Sequence, residues 1–248
     1  MKKTSTYIFL LILTLVLGDR YLIHPVAGQN LPKEPLQFNP PNNGAPGGNR
    51  SRSSTNTGSR DDCPAVEKAI TALIPQTNWG NTLAERPTFW FYIPHKQGNL
   101  TLIIRDEETT APVAVLNYKV SNGGGIVSFP IPENVPALEV NRAYRWRVYF
   151  TCNPNIQPSL TGVEGVVQRV ATNEAFTTST ISIKEQIDLY ASQGLWYETI
   201  TKLIESLRSQ PTGQELKQIW LDLLSHPDVE LSEFISEPLV NCCNVVSE

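Results

Sequence analysis

Between residues 63 and 171 the apolar positions fall in short runs separated by turn residues. The clearest run is Tyr144-Arg-Trp-Arg-Val-Tyr-Phe-Thr-Cys152, where bulky apolar side chains alternate with arginines. Side chains on a strand alternate faces. Tyr144, Trp146, Val148, Phe150 and Cys152 therefore share one face, and Arg145, Arg147, Tyr149 and Thr151 the other. The first set reads as a core face with a thiol at its end. The same reading predicts strands over 70–74, 87–93, 100–106, 113–120, 126–131, 143–152 and 162–170. Between them, Pro94-His-Lys-Gln-Gly-Asn, Ser121-Asn-Gly-Gly-Gly and Asn153-Pro-Asn carry turn chemistry. Seven short strands in a stretch of this size predict a mainly β fold, an immunoglobulin-like antiparallel β-sandwich. Leu138, six residues before Tyr144, supports it: a Tyr placed there makes the tyrosine corner of such folds, its hydroxyl bonding the backbone upstream. Residues 64–70 are ambiguous, because Val66, Ala69, Ile70 and Leu73 also fit one helical turn after Pro64.

Phe89-Trp-Phe-Tyr-Ile93 is apolar on both faces. Left bare, such a segment invites aggregation. It reads as a central strand, one face in the sandwich and the other under C-terminal helices. The alternative leaves Trp90 and Tyr92 exposed as a binding platform.

From Ser182 the period changes. Ile183, Ile187, Leu189 and Tyr190 fit one helix; Trp196, Ile200, Leu203, Ile204 and Leu207 fit a second, with Gly194 in the turn. Leu216, Ile219, Trp220, Leu223 and Leu224 fit a third, ended by Pro227, and 229–236 fits a short fourth. The spacing of Gly194, Trp196, Tyr197 and Pro211 resembles a tetratricopeptide-type helical hairpin, with Thr199 and Ser206 where small residues are expected. One hairpin is too few for a solenoid, so this helical extension, residues 182–240, is expected to pack on the sandwich domain, residues 63–171.

The N-terminus bears on compartment. Lys2 and Lys3 precede an apolar run over 7–17, and Val26-Ala27-Gly28 follows. This is the layout of a secretory signal peptide over residues 1–28, with an uncleaved signal anchor as the alternative. Residues 29–62 are rich in Pro, Asn, Gly, Ser and Arg and read as a disordered linker. Export to periplasm, cell envelope or the outside follows, with membrane contact only through an uncleaved signal segment.

Export makes the four cysteines readable. The economical pairing is Cys63 with Cys152, whose long loop is worth about 4–5 kcal/mol at most in the chain-entropy model. Cys242 and Cys243 are adjacent, and a vicinal bridge is strained. They stay open between free thiols, a bridge to another chain, pairing with Cys63 or Cys152, and a metal pair that has no His or second Cys-x-x-Cys to support it.

Charge adds an asymmetry. From Lys184 onward there are 4 basic and 11 acidic residues, a net of −7, within a chain of net −4. No basic block is dense enough for nucleic acid. Candidate chemistry is sparse: no nucleophile elbow, P-loop or dinucleotide fingerprint occurs, and the three histidines have no metal spacing. No cofactor is expected. Asp106-Glu-Glu108 could hold Ca²⁺ or act as acid and base, but a solvated turn is the preferred reading. Arg145 and Arg147, with Arg142 and Arg169, form a candidate patch across the last two strands, if these pair, for anionic glycan or for the acidic C-terminal helices. The intramolecular pairing is preferred.

Several segments together resemble a cyanobacterial family known as a domain of unknown function, DUF 928. They are Arg86-Pro-Thr-Phe-Trp-Phe-Tyr-Ile-Pro94, Ile70-Thr-Ala-Leu-Ile-Pro75, Gly125-Ile-Val-Ser, Leu138-Glu-Val, Tyr144-Arg-Trp, Val167-Gln-Arg-Val170 and Gly194-Leu-Trp-Tyr-Glu198. Val166 departs from the pattern, where a Trp is expected. The resemblance implies an exported bacterial protein and brings no activity or catalytic residues. The expected function is a non-enzymatic envelope or secreted module that binds a protein partner. The alternative is a glycan-binding module using Trp90, Tyr92 and the arginines.

Overall fold

The computed structural model describes residues 35–41, 49–51, 63–153, 162–172 and 181–245, without the side chain of Asn244. The expected signal segment and most of the expected linker lie outside these residues. Among the described residues nine strands form two sheets: β1 (Thr71–Ala72), β2 (Trp79–Thr82), β3 (Thr88–Ile93), β4 (Gly98–Asp106), β5 (Pro112–Val120), β6 (Gly125–Pro130), β7 (Arg142–Thr151), β8 (Val163–Arg169) and β9 (Asn244–Val245). The smaller sheet has the order β1-β3-β6 and the larger β2-β8-β7-β4-β5-β9. The fold is mainly β and sandwich-like, with three α-helices among the described residues: α1 (Ile183–Ser192), α2 (Trp196–Ser209) and α3 (Gln214–Leu224). A 3₁₀ turn at Ser232–Phe234 takes the place of the expected fourth helix, and residues 64–70 form no helix.

Alternation builds the core. The face of β7 with Tyr144, Trp146, Val148 and Phe150 is buried, as are Leu100, Leu102 and Ile104 of β4. Opposite them lie Phe89 and Phe91 of β3 and Phe129 of β6. Trp146 meets both β3 rings edge-on, at centroid distances of 5.7 and 5.6 Å. Edge-to-face rings add to area burial by placing positive edges on negative faces. At the start of β7 the Tyr144 hydroxyl accepts a 2.9 Å hydrogen bond from the Glu139 amide. The Cys63–Cys152 disulfide ties the segment entering β1 to the residue after β7. Cys242 and Cys243 bridge each other, the vicinal pairing the sequence reading set aside as strained and none of the alternatives it left open.

Three features depart from the sequence reading. First, the sheets are not wholly antiparallel: β2 runs parallel to β8. Its sequence, Trp-Gly-Asn-Thr, has no apolar alternation to announce a strand. Gly80 is required there, because a Cβ would stand 2.8 Å from the Tyr197 ring. Second, part of the expected linker packs against the body. Leu36 and Phe38 are buried, and Phe38 meets Trp196 edge-on at 5.2 Å. Third, Arg50, in the same stretch, donates to the carbonyls of Ile74, Val229 and Glu230. Desolvation pulls its pKa down, but three carbonyls in a planar fork are the geometry that satisfies guanidinium donors.

The helices cover the outward face of the smaller sheet. Ser182 and Glu185 form a capping box that starts α1. Gly194, at φ +69°, turns the chain into α2. Trp196 then donates to the Leu73 carbonyl at 2.8 Å, and the Tyr197 hydroxyl accepts from the Trp146 indole at 3.0 Å. The helical hairpin is thus anchored inside the sandwich by two consecutive aromatic residues.

Candidate functional site

Trp90 and Tyr92 are not a platform. Trp90 is 4% and Tyr92 8% exposed. The Trp90 indole donates to the Thr201 hydroxyl of α2 at 2.9 Å, and the Arg208 guanidinium lies 5.0 Å from its ring. Tyr92 packs on Phe234 at 4.9 Å. The expectation that C-terminal elements cover this face holds; the alternative of exposed aromatics for a glycan is overturned. Strand β3 carries too much apolar surface on both faces to leave either in water.

The arginines lie where alternation puts them, but their partners differ from those expected. Arg145 forks onto Glu107, with its Nε 2.8 Å from one oxygen, and also approaches Glu164 at 3.7 Å. Its pKa is raised, chiefly by the Glu107 hydrogen bond. Arg147 binds Glu164 across the β7–β8 ladder, where the two residues are register partners. Arg142 meets Asp106 at 2.7 Å and Glu139 at 3.1 Å. Arg169 donates to the Leu138 carbonyl at 2.6 Å. The pairing is therefore intramolecular, but with carboxylates of the sandwich and not with the acidic C-terminal helices. Cross-strand neighbours within one sheet meet without ordering a distant segment, which favours them.

The same contacts occupy the acidic cluster. Asp106 accepts from the Thr109 amide and hydroxyl, both at 2.7 Å, and these bonds, with Arg142, hold its carboxyl below the usual range. Glu107 is engaged by Arg145. Two of the three carboxylates are thus committed to closing the β4–β5 turn and bracing β7.

What remains is the outward face of the larger sheet, formed by β8, β7, β4 and β5. No helix covers it. At its centre Ile103 of β4 lies between Val115 of β5 and Arg147 of β7, and Val115 is 59% exposed, more than any other large apolar side chain described. Beside them Thr101 donates to Asn117 at 2.9 Å, and Tyr149 is Thr101's partner on β7. Arg105, Arg147 and Lys119 are exposed around this centre. Arg105, Arg145, Arg147 and Lys119 set against Glu107 and Glu164 leave the face net positive. An apolar centre within a charged rim is the anatomy of a recognition patch.

Two further places were not legible in the sequence. A cleft of about 250 Å³ between the sandwich and α1–α2 is lined by Thr82, Arg86, Tyr190, Glu198, Thr201 and Lys202, among others. Glu198 Oε1 accepts from the Thr82 hydroxyl (2.7 Å) and from the amides of Leu83 (2.8 Å) and Ala84 (3.1 Å). Burial raises its pKa against the pull of those bonds. Three donors on one oxygen make Glu198 a brace between α2 and the turn after β2. The second place is His95, one ring nitrogen of which lies near the sulfurs of Cys63 and Cys152, the three atoms all within 4.8 Å of one another. Sequence spacing could not reveal this, because the three residues belong to separate segments.

A family model described as "Domain of Unknown Function (DUF928)" matches residues 50–239. No curated protein matches the chain. Among solved structures, the sensor domain of the anti-sigma factor RsgI4 from Pseudobacteroides cellulosolvens is 10% identical at a TM-score of 0.28, over 46% of this chain and 86% of that one.

Proposed function

The chain belongs to the DUF928 family, and from that premise we propose that it is an exported, non-enzymatic module that docks a protein partner on the outward face of its larger sheet. The observation that carries this reading is the exposed centre at Val115, flanked by Ile103 and ringed by Arg105, Arg147 and Lys119. The net positive rim fits a partner with an acidic, shallow surface, because complementary charge steers encounter and sets register. The N-terminal sequence pattern supports export, and the Cys63–Cys152 bridge suits an oxidising compartment. A non-enzymatic role is supported by the engagement of Asp106 and Glu107 in ion pairs.

The reading extends to the architecture. We take the sandwich as immunoglobulin-like on two supports: the strand orders β1-β3-β6 and β2-β8-β7-β4-β5-β9, and the Tyr144–Glu139 bond at the corner. We take α1–α2 as a single tetratricopeptide-like hairpin on its Gly194 turn, with Thr199 and Ser206 buried at the contacts.

The test compares the mature chain with an Arg105→Glu, Val115→Asp, Lys119→Glu variant in capture from envelope extract. The wild type should retain an acidic partner that the variant loses while its melting temperature is unchanged. Identical retention by both chains would overturn the reading.

A further inference from the structure

Cys63, Cys152 and His95 converge from three segments onto one half-buried place. Cys63 enters the segment before β1, Cys152 follows β7, and His95 lies in the turn after β3. That turn is braced: the Gly124 amide donates to the Ile93 carbonyl and the Gly123 amide to the Lys96 carbonyl, both at 2.9 Å. Gly123 must lack a side chain, since a Cβ there would stand 2.2 Å from the His95 carbonyl oxygen. The imidazole stacks on Phe150 at 5.4 Å between centroids and 17° between planes. The ring is therefore held in place beside the two sulfurs, whose backbones already meet at a Cα–Cα distance of 5.1 Å.

We propose that this is a redox-gated metal site. In the oxidised chain the disulfide ties up both sulfurs. A dithiol reductant delivers two electrons and two protons: the Cys63–Cys152 bond breaks, two thiols form, and the reductant closes to its own disulfide. One thiophilic d¹⁰ cation then binds both sulfurs as thiolates and one nitrogen of neutral His95, releasing two protons. Zn²⁺ is the probe for this class. With bonds of about 2.3 Å to sulfur and 2.0–2.1 Å to nitrogen, a tetrahedral site has ligand-to-ligand edges of roughly 3.5–3.8 Å. The two sulfurs, bonded in the oxidised chain, must part to about 3.8 Å on reduction, and the His95 nitrogen, within 4.8 Å of each, needs to close by only about 1 Å. All three residues are partly exposed, so a fourth position opens to water.

The site goes beyond the docking role and does not depend on it. The experiment uses the mature chain carrying Cys242→Ser and Cys243→Ser, which removes the other bridge. It is reduced with a trialkylphosphine, which leaves no competing thiol, and titrated with Zn²⁺ against a chromophoric chelator. One Zn²⁺ per chain, a raised Tm, and at least about tenfold weaker binding in His95→Ala are expected. Co²⁺ in place of Zn²⁺ should show thiolate-to-cobalt charge-transfer absorption that changes in His95→Ala, and the oxidised chain should bind neither ion. No uptake by the reduced chain, affinity and spectrum unaltered by His95→Ala, or a reduced chain that stays unfolded with Zn²⁺ would each overturn the proposal.

Discussion

Trp90 and Val115 both point away from the sandwich core, one from each sheet, yet Trp90 is 4% exposed and Val115 59%. The outward face of the smaller sheet carries Trp90, Tyr92 and Ile126, which are covered by α2, the 3₁₀ turn and the segment around Val240. The outward face of the larger sheet alternates Thr, Asn, Arg and Lys with only a few apolar side chains, and none of the described helices covers it. The contrast teaches that helix coverage follows the apolar load of each outward face. A face that can satisfy water is left to recognise something else.

The largest effect tests the joint between the two sheets. Cys63→Ser with Cys152→Ser opens a closure spanning 89 residues, and the loss should approach about 4–5 kcal/mol as an upper bound, read by urea unfolding. Next comes the contrast itself. Trp90→Ala should cost about 3–5 kcal/mol, because it empties a buried ring site. Val115→Ala should stay within about 0.5 kcal/mol. Equal costs in chemical denaturation would break the comparison. A smaller effect sits at the corner of the larger sheet: Tyr144→Phe removes the acceptor of the Glu139 amide and should cost about 1 kcal/mol with no change of fold.

The subtlest prediction concerns the seam where α2 meets the sandwich. Burial raises the Glu198 pKa above its ordinary value of 4.5, so the folded chain keeps this proton to higher pH than the unfolded chain does. Its stabilisation is complete below the ordinary value and is lost as pH rises through the raised one. Glu198→Gln keeps an oxygen for Thr82, Leu83 and Ala84 and removes the charge. Its Tm advantage over wild type should grow as pH rises above the ordinary value of 4.5. A constant difference above that value would show that Glu198 does not titrate there.

Much of the fold was legible. Alternation along 143–152 placed Trp146 inside and Arg147 outside, and the helical period located α1 to α3. Strand β2 was not legible, because Trp-Gly-Asn-Thr is a strand only through its parallel pairing with β8 and the approach of Tyr197 to Gly80. Leu36, Phe38 and Arg50 were hidden inside a stretch of linker composition, since isolated apolar or basic residues there carry no period. The site was legible only in part. The arginines were visible as a face, but apart from Glu139, three residues before Arg142, the carboxylates they bind come from β8, the end of β4 and the turn after it, and no spacing rule links them.

The sequence by itself determined which side chains share a face, where the period changes from two to 3.6, and which residues carry reactive sulfur. These are properties of neighbours along the chain. The tertiary structure alone decided which outward face is covered, which acid meets each arginine, and that His95 stands beside Cys63 and Cys152. Those outcomes depend on contacts between segments far apart in sequence, where packing and the cost of ordering the chain select one arrangement among many that the local pattern allows.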